Sequence, residues 1–160
     1  MEVKRVINKK KYNKLIFVCT GNTCRSPMAE TIFKSMVLDS DLEVLSRGLI
    51  VLFAEPSNPK ADTVLKSHNL DLRDHKSRGL KNKEIDEDTL ILTMTKRQKE
   101  SVLDGYENAK SVYTINEYVG ESGEVEDPYG GTLIDYEDSY AQLSLLIKKL
   151  VYKLNEGGSI

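Results

Sequence analysis

Apolar residues follow two rhythms along this chain. Leu15-Ile-Phe-Val18 is a short unbroken run of bulky side chains, which predicts a buried strand. Met28, Ile32, Phe33, Met36 and Val37 then recur at helical spacing, predicting a helix from Pro27 to about Leu38. After the polar break Asp39-Ser-Asp41, Glu43 to Ser46 alternates as a second strand would, ending before Gly48. Asn58 is a candidate N-cap with Pro59 at the first helical position, and Ala61, Val64, Leu65 and His68 share one helix face. His68 therefore reads as a half-buried packing residue, and Asn69 can close the helix in the left-handed conformation. Asp71 to Gly79 is charged and irregular, a solvated connection. Thr89-Leu-Ile-Leu-Thr-Met94 predicts a central parallel strand. Thr95-Lys-Arg-Gln98 is a capping box opening a helix to about Leu103, ended by Gly105. Ser111 to Ile115 is the fourth strand, and from Tyr136 to Leu154 the apolar spacing predicts a long amphipathic helix.

Strands alternating with helices predict an α/β fold, a single domain with a four-stranded parallel sheet flanked by helices. The segment between the last strand and last helix, Asn116 to Asp135, is a long loop, and long loops in compact domains are usually functional. At 160 residues there is room for one real core, and a net charge of −2 gives no pull toward nucleic acid or membrane surfaces. No apolar run is long enough to span a bilayer. Residues 1–13 are basic and lack the apolar centre of a secretion signal, so a flexible tail is expected there. The domain is expected over 14–155 with a short tail at 156–160, and the cytoplasm is the expected compartment. Neither a Walker A motif nor a dinucleotide glycine fingerprint is present, so no cofactor is implied. Cys19 and Cys24, with His68 and His75 distant in sequence, make a poor zinc set, and no metal is expected.

The candidate chemistry lies in Cys19-Thr-Gly-Asn-Thr-Cys24-Arg25-Ser26-Pro27, the turn from first strand into first helix. Unpaired N–H groups at a helix start, the helix dipole and a curled loop together form a cradle for a phosphate-like anion. Gly21 and Asn22 tolerate backbone angles that other residues resist. Thr20, Gly21, Asn22, Thr23, Cys24 and Ser26 form the loop, and Arg25 adds a planar fork of donors. Cys19, at the strand end, is aimed into the cradle, where an arginine and a helix N-terminus favour thiolate and Ser26 can donate to it. A thiolate beneath a bound phosphoryl group is an in-line nucleophile. A lone cysteine ending a strand is most often a small core residue; the Gly-Asn, the arginine and the serine are what lift this one out of that class. Cys24 either captures an oxidised Cys19 as a disulfide or merely packs beneath the loop, since loop geometry decides between them.

This stretch resembles the signature of the low-molecular-weight protein tyrosine phosphatases. Asp127-Pro128-Tyr129-Gly130 matches the same family's general-acid motif, and the resemblance covers nearly everything from Leu15 to about Leu154. It implies a protein phosphatase that works through a cysteinyl-phosphate, with catalytic residues Cys19, Arg25 and Asp127. Phosphorylated proteins would be its substrates, and inorganic phosphate its product and inhibitor. Pro128 holds Asp127 toward extended angles, although Glu124, Glu126 and Asp135 are further carboxylates in the loop. The resemblance also implies that Ser46 braces Asn22, that the stretch Asp71 to Gly79 supports the catalytic loop's neighbourhood, and that the apolar stretch Leu49 to Ala54 walls the active-site cleft. From sequence alone, that stretch also reads as a continuation of the second strand. Leu49 and Tyr129 are the expected cleft residues.

Thr23 stands where most tyrosine-specific members carry an aliphatic residue, and so resembles the subgroup of protein-arginine phosphatases. From Ser111 to Ile147 there is no Lys or Arg but many acids, a rim suited to a cationic leaving group. Gly130-Gly131 replaces the second aromatic residue common in tyrosine-acting members. Phosphoarginine is therefore the favoured substrate and phosphotyrosine the alternative. Thioredoxin-coupled arsenate reductases resemble this loop but need cysteines downstream of Cys24, and there are none. A phosphocarrier would need neither Arg25 nor Asp127, and a non-catalytic phosphoprotein-binding module would not need the thiol or the acid.

Overall fold

The computed structural model describes residues 5–6, 11–39, 41–72 and 74–155. Four parallel strands form the main sheet: β2 (Lys14–Cys19), β4 (Glu43–Gly48), β5 (Thr89–Thr93) and β6 (Ser111–Thr114), in the order β4-β2-β5-β6. A short pair, β1 (Arg5–Val6) with β3 (Val37–Asp39), lies apart from it. The helices are α1 (Arg25–Met36), α2 (Pro59–Ser67), α3 (Lys96–Gly105), the single turn α4 (Ile115–Tyr118) and α5 (Leu133–Asn155). The expected α/β fold with a four-stranded parallel sheet is thus present. Of the expected basic tail, Arg5–Val6 is strand, and residues 1–4 and 7–10 lie outside the described residues, as does the expected tail at 156–160.

The central strands β2 and β5 are buried on both faces, which is why they read as unbroken apolar runs. Successive side chains on β2 serve opposite layers. Leu15 and Phe17 pack with Met28, Ile32 and Phe33 of α1 and with Leu143, Ile147 and Leu150 of α5. Ile16 and Val18 pack on the other side with Ile91, Val112, Ile85 and Val102 of α3. Burying one such side chain stabilises the fold by about 1.5–3 kcal/mol. Because β2 pairs with β4 on one side and β5 on the other, the chain departs in opposite directions from its carboxyl end. Ligand crevices of open parallel sheets form at such a switch point, and Cys19 is the residue placed there.

Several boundaries differ from the sequence expectation. The first helix begins two residues earlier, at Arg25, and stops at Met36, because Val37–Asp39 is extended and pairs with Arg5–Val6. The second strand runs on to Gly48, held by register with Cys19. Leu49 to Ala54 is loop, as the cleft-wall reading holds, and not a strand continuation. Ile115 belongs to α4 rather than to the fourth strand, because Thr114 and Glu117 form a reciprocal cap around it. The last helix begins at Leu133, so the loop expected over Asn116–Asp135 is shorter at both ends. His68 is more exposed than a packing residue. Its ring stacks on Tyr140 at 3.9 Å between centroids, and its Nε2 lies 2.8 Å from a Glu137 oxygen.

Candidate active site

The turn between β2 and α1 is held by one asparagine. Asn22 is fully buried and sits at φ 58°, the left-handed region that asparagine tolerates better than most residues. Its side-chain oxygen accepts from Arg78 N at 2.9 Å, which fixes the amide orientation because a backbone N–H can only donate. The two hydrogens of Nδ2 then go to Ser26 Oγ at 2.8 Å and to Ser46 Oγ at 3.0 Å. The hydrogen bond expected between Ser46 and Asn22 is therefore present. The carbonyl of Asn22 is held by His75 Nε2 at 2.8 Å, so that nitrogen carries the hydrogen. Neighbouring contacts leave little slack. A Cβ on Gly48 would stand 2.9 Å from Thr20 O and 3.0 Å from Asn22 Cβ, so glycine is what lets β4 approach the loop this closely.

Cys19 Sγ, 3% exposed at residue level, lies inside this turn. Ser26 Oγ stands 3.0 Å from it and Asn22 N donates to it at 3.3 Å. Ser26 Oγ already accepts from Asn22, so its own hydrogen has two acceptors in reach, the sulfur at 3.0 Å and the Arg47 carbonyl at 3.4 Å. Cys24 is different. Burial, reinforced by the charges of Cys19 and Asp127, pushes its thiol up to about 12, so it is a neutral thiol at ordinary pH. Its sulfur lies 3.9 Å from Met28 Sδ, and both cysteines are free.

Arg25 joins this turn to the distant loop that carries Asp127. It is 5% exposed, donates through Nη1 to Val125 O at 2.9 Å, and places Nη2 3.6 Å from Asp127 Oδ2. Val125 is fully buried and donates its N–H to Met94 O at the end of β5. Asp127 is thereby anchored two residues from a core position, although its side chain is 52% exposed. Its Oδ1 accepts from Tyr129 N at 3.0 Å. Gly131 leaves no room for a Cβ, which would meet Asp135 Cβ at 2.9 Å, so the Gly-Gly step lets this loop fold tightly against the start of α5.

A cleft of about 660 Å³ opens beside Arg25 and Asp127, walled by Leu49, Ile50, Thr20, Gln98 and Tyr106. Leu49 lies where the sequence expects it. Tyr129 does not line this cleft. It is 78% exposed and borders a second cavity on the other side of Asp127. Thr23 is partly exposed, and its carbonyl accepts from Asn58 N at 2.8 Å, tying the loop to the cap of α2. Of the other loop carboxylates, Glu124 accepts from Lys96 N, and Asp135 accepts from Thr132 N at the start of α5.

Four residues support the site in ways that the residue pattern alone did not signal. His75 and Arg78 belong to the segment whose residues read as a solvated connection and which only the family resemblance ties to the loop; both hold Asn22, while Leu72, Ser77 and Leu80 are buried. The connection is part of the site because the Gly48–Gly79 bridge lays it against β4. Gln98 was legible as a capping residue, but its amide also donates to Thr20 Oγ1 at 3.1 Å. Val125 gave no signal beyond a lone apolar residue in an acidic loop.

Comparison with known proteins agrees with this geometry. Residues 14–159 match the family model described as low molecular weight phosphotyrosine protein phosphatase. The chain is 39% identical over 137 residues to the low molecular weight protein-tyrosine-phosphatase PtpB of Staphylococcus haemolyticus, covering 86% of this chain and 96% of that protein. It is 35% identical over 143 residues to the protein-arginine-phosphatase of Geobacillus stearothermophilus, covering 88% and 95%. Among solved structures, a serine-for-cysteine mutant of the YwlE arginine phosphatase with a phosphorylated active-site serine superimposes with a TM-score of 0.82 at 34% identity, covering 88% and 95%. The chain belongs to the low molecular weight phosphotyrosine protein phosphatase family.

Proposed function

We propose that this protein phosphatase hydrolyses phosphorylated side chains through a cysteinyl-phosphate on Cys19, and that phosphoarginine is its favoured substrate. The observation that supports the mechanism is that the turn which holds Cys19 Sγ on two donors also carries Arg25, whose Nη2 stands 3.6 Å from Asp127 Oδ2. The phosphoryl oxygens sit on the loop N–H groups between residues 20 and 26 other than that of Asn22, which faces the sulfur, and on Arg25. Cys19 Sγ attacks phosphorus, an S–P bond forms, and the bond to the leaving oxygen or nitrogen breaks. Asp127 gives the leaving group a proton, then takes one from the water that cleaves the S–P bond. Ser26 donates to the sulfur as it is released.

Phosphoarginine is favoured by the small polar Thr23 in the loop and by the carboxylates beside Asp127, which suit a cationic leaving group. The arginine phosphatase among the similar proteins supports the same reading. Phosphotyrosine is the second reading, supported by the exposed apolar side chains Ile50, Leu52 and Phe53 on the cleft-wall loop, which suit a phenyl ring. Paired kinetics on phosphoarginine and phosphotyrosine peptides decide between them. A higher kcat/KM on phosphoarginine is expected, and Thr23→Ile should move the ratio toward phosphotyrosine. A wild-type preference for phosphotyrosine, or a ratio that Thr23→Ile leaves in place, refutes the specificity argument.

A further inference from the structure

Gln98 is 5% exposed, and its amide is held in one orientation. Its Oε1 accepts from Met94 N at 2.9 Å and from Thr95 N at 3.1 Å, and a backbone N–H can only donate. Nε2 therefore faces the other way and donates to Thr20 Oγ1 at 3.1 Å. Both residues wall the cleft beside Arg25 and Asp127. Thr20 is also fixed along its backbone, because its carbonyl accepts from Leu49 N and Ile50 N, each at 2.9 Å. The residue that follows Cys19 is thus clamped through its carbonyl and its hydroxyl alike.

A threonine hydroxyl has one hydrogen and two lone pairs. On Thr20 one lone pair takes the Gln98 hydrogen. The other has no donor among the described residues, and Thr20 is exposed in the cleft. Leu49 and Ile50 beside it offer no polar side-chain atom, and Arg25 and Arg97 on the same cleft can only donate. The two candidate substrates differ in what they bring to such a wall. The guanidinium of phosphoarginine carries several N–H donors next to the P–N bond, whereas the phenyl ring of phosphotyrosine carries none. A fixed acceptor on the wall serves only the first.

We propose that Thr20 Oγ1 is a specificity-determining contact, which accepts a hydrogen bond from the guanidinium of a phosphoarginine substrate. Gln98 is a positioning residue that acts through it, by occupying one lone pair and fixing where the other points. The proposal rests on phosphoarginine being a substrate of this cleft.

Matched peptides carrying phosphoarginine or phosphotyrosine test it through the ratio of their kcat/KM values, in which damage common to both substrates cancels. Thr20→Val removes the oxygen and keeps the branched shape. It should lower the phosphoarginine-to-phosphotyrosine ratio roughly tenfold, because a hydrogen bond to a charged donor is lost for one substrate alone. Thr20→Ser keeps the hydroxyl and should hold the ratio within about twofold of wild type. Gln98→Met leaves the hydroxyl unheld and should lower the ratio about threefold, with no further fall when added to Thr20→Val. Circular dichroism checks folding, and Thr20→Ala, which removes the same oxygen, replaces Thr20→Val should that variant not fold. A ratio that loss of the oxygen leaves unchanged overturns the contact. Equal falls in Thr20→Ser and Thr20→Val overturn the hydroxyl as its source, and a further fall in the double variant overturns Gln98 as acting through Thr20. A wild type that prefers phosphotyrosine refutes the favoured-substrate reading instead, while a ratio that still falls in Thr20→Val upholds the contact, so the two failures are distinguishable. A wild type with no turnover of phosphoarginine overturns both.

Discussion

Replacing Asn22 with alanine removes three buried hydrogen bonds at once, those to Ser26, Ser46 and Arg78. Each contributes about 1 kcal/mol net, so about 3 kcal/mol is lost before strain is counted. The backbone at φ 58° adds about 1–2 kcal/mol, because alanine resists the left-handed region that asparagine tolerates. A loss of about 4–5 kcal/mol is expected by urea denaturation, a large share of a typical domain's stability. Asn22→Gly loses the same hydrogen bonds without the strain and should sit about 1 kcal/mol above the alanine variant. Both variants free the Ser26 hydroxyl from its orienting donor, so both should lose roughly tenfold to a hundredfold in kcat with p-nitrophenyl phosphate. Stability within about 1 kcal/mol of wild type together with unchanged kcat would refute Asn22 as the keystone of the loop.

Other expectations follow from neighbouring positions. Gly48→Ala should push the loop away from β4 and lose at least about tenfold in activity with about 1–3 kcal/mol of stability, because its Cβ would meet backbone and Val51 Cγ2 at 2.7 Å; a fully active, fully stable variant would contradict the close approach. In a Cys19→Ser variant, where burial still acts as the larger cause, Cys24 should resist iodoacetamide at pH 7.5 and react faster only as pH climbs above 9.0. Fast labelling at neutral pH would contradict the burial argument. The folded thiol holds its proton more tightly than the unfolded one, so the stability Cys24 contributes is complete below pH 9.0 and is lost as pH rises toward about 12. Denaturation curves of wild type and Cys24→Ala across that window measure it, and parallel pH dependences would count against it.

What the sequence made legible was the chemistry that is local in the chain. Cys19, Asn22, Arg25 and Ser26 lie within one strand-to-helix turn, so spacing alone brings them together. Asp127 was legible through Pro128 and the family motif, not through any contact. Two supports of Asn22 were not legible in the residue pattern because they arrive by tertiary return: His75 and Arg78 are 53 and 56 positions away and sit in a segment without periodicity. The early end of α1 was hidden for the same reason, since Val37–Asp39 is extended by pairing with Arg5–Val6, far away in sequence. The early start of α5 did leave a trace. Thr132 N donates to Asp135 Oδ2 at 2.8 Å and Asp135 N to Thr132 Oγ1 at 3.3 Å, a reciprocal cap spelled out by Thr132-x-x-Asp135.

The most direct test of the account is chemical identification of the phosphorylated residue. In Asp127→Ala, p-nitrophenol leaves without needing an acid, but the water that clears the sulfur has lost its base. Acid quench during turnover should show a burst equal to the enzyme concentration and one phosphoryl group on Cys19 by peptide mass spectrometry. Turnover with no covalent phosphoryl group, or a phosphoryl group on any residue other than Cys19, would contradict it.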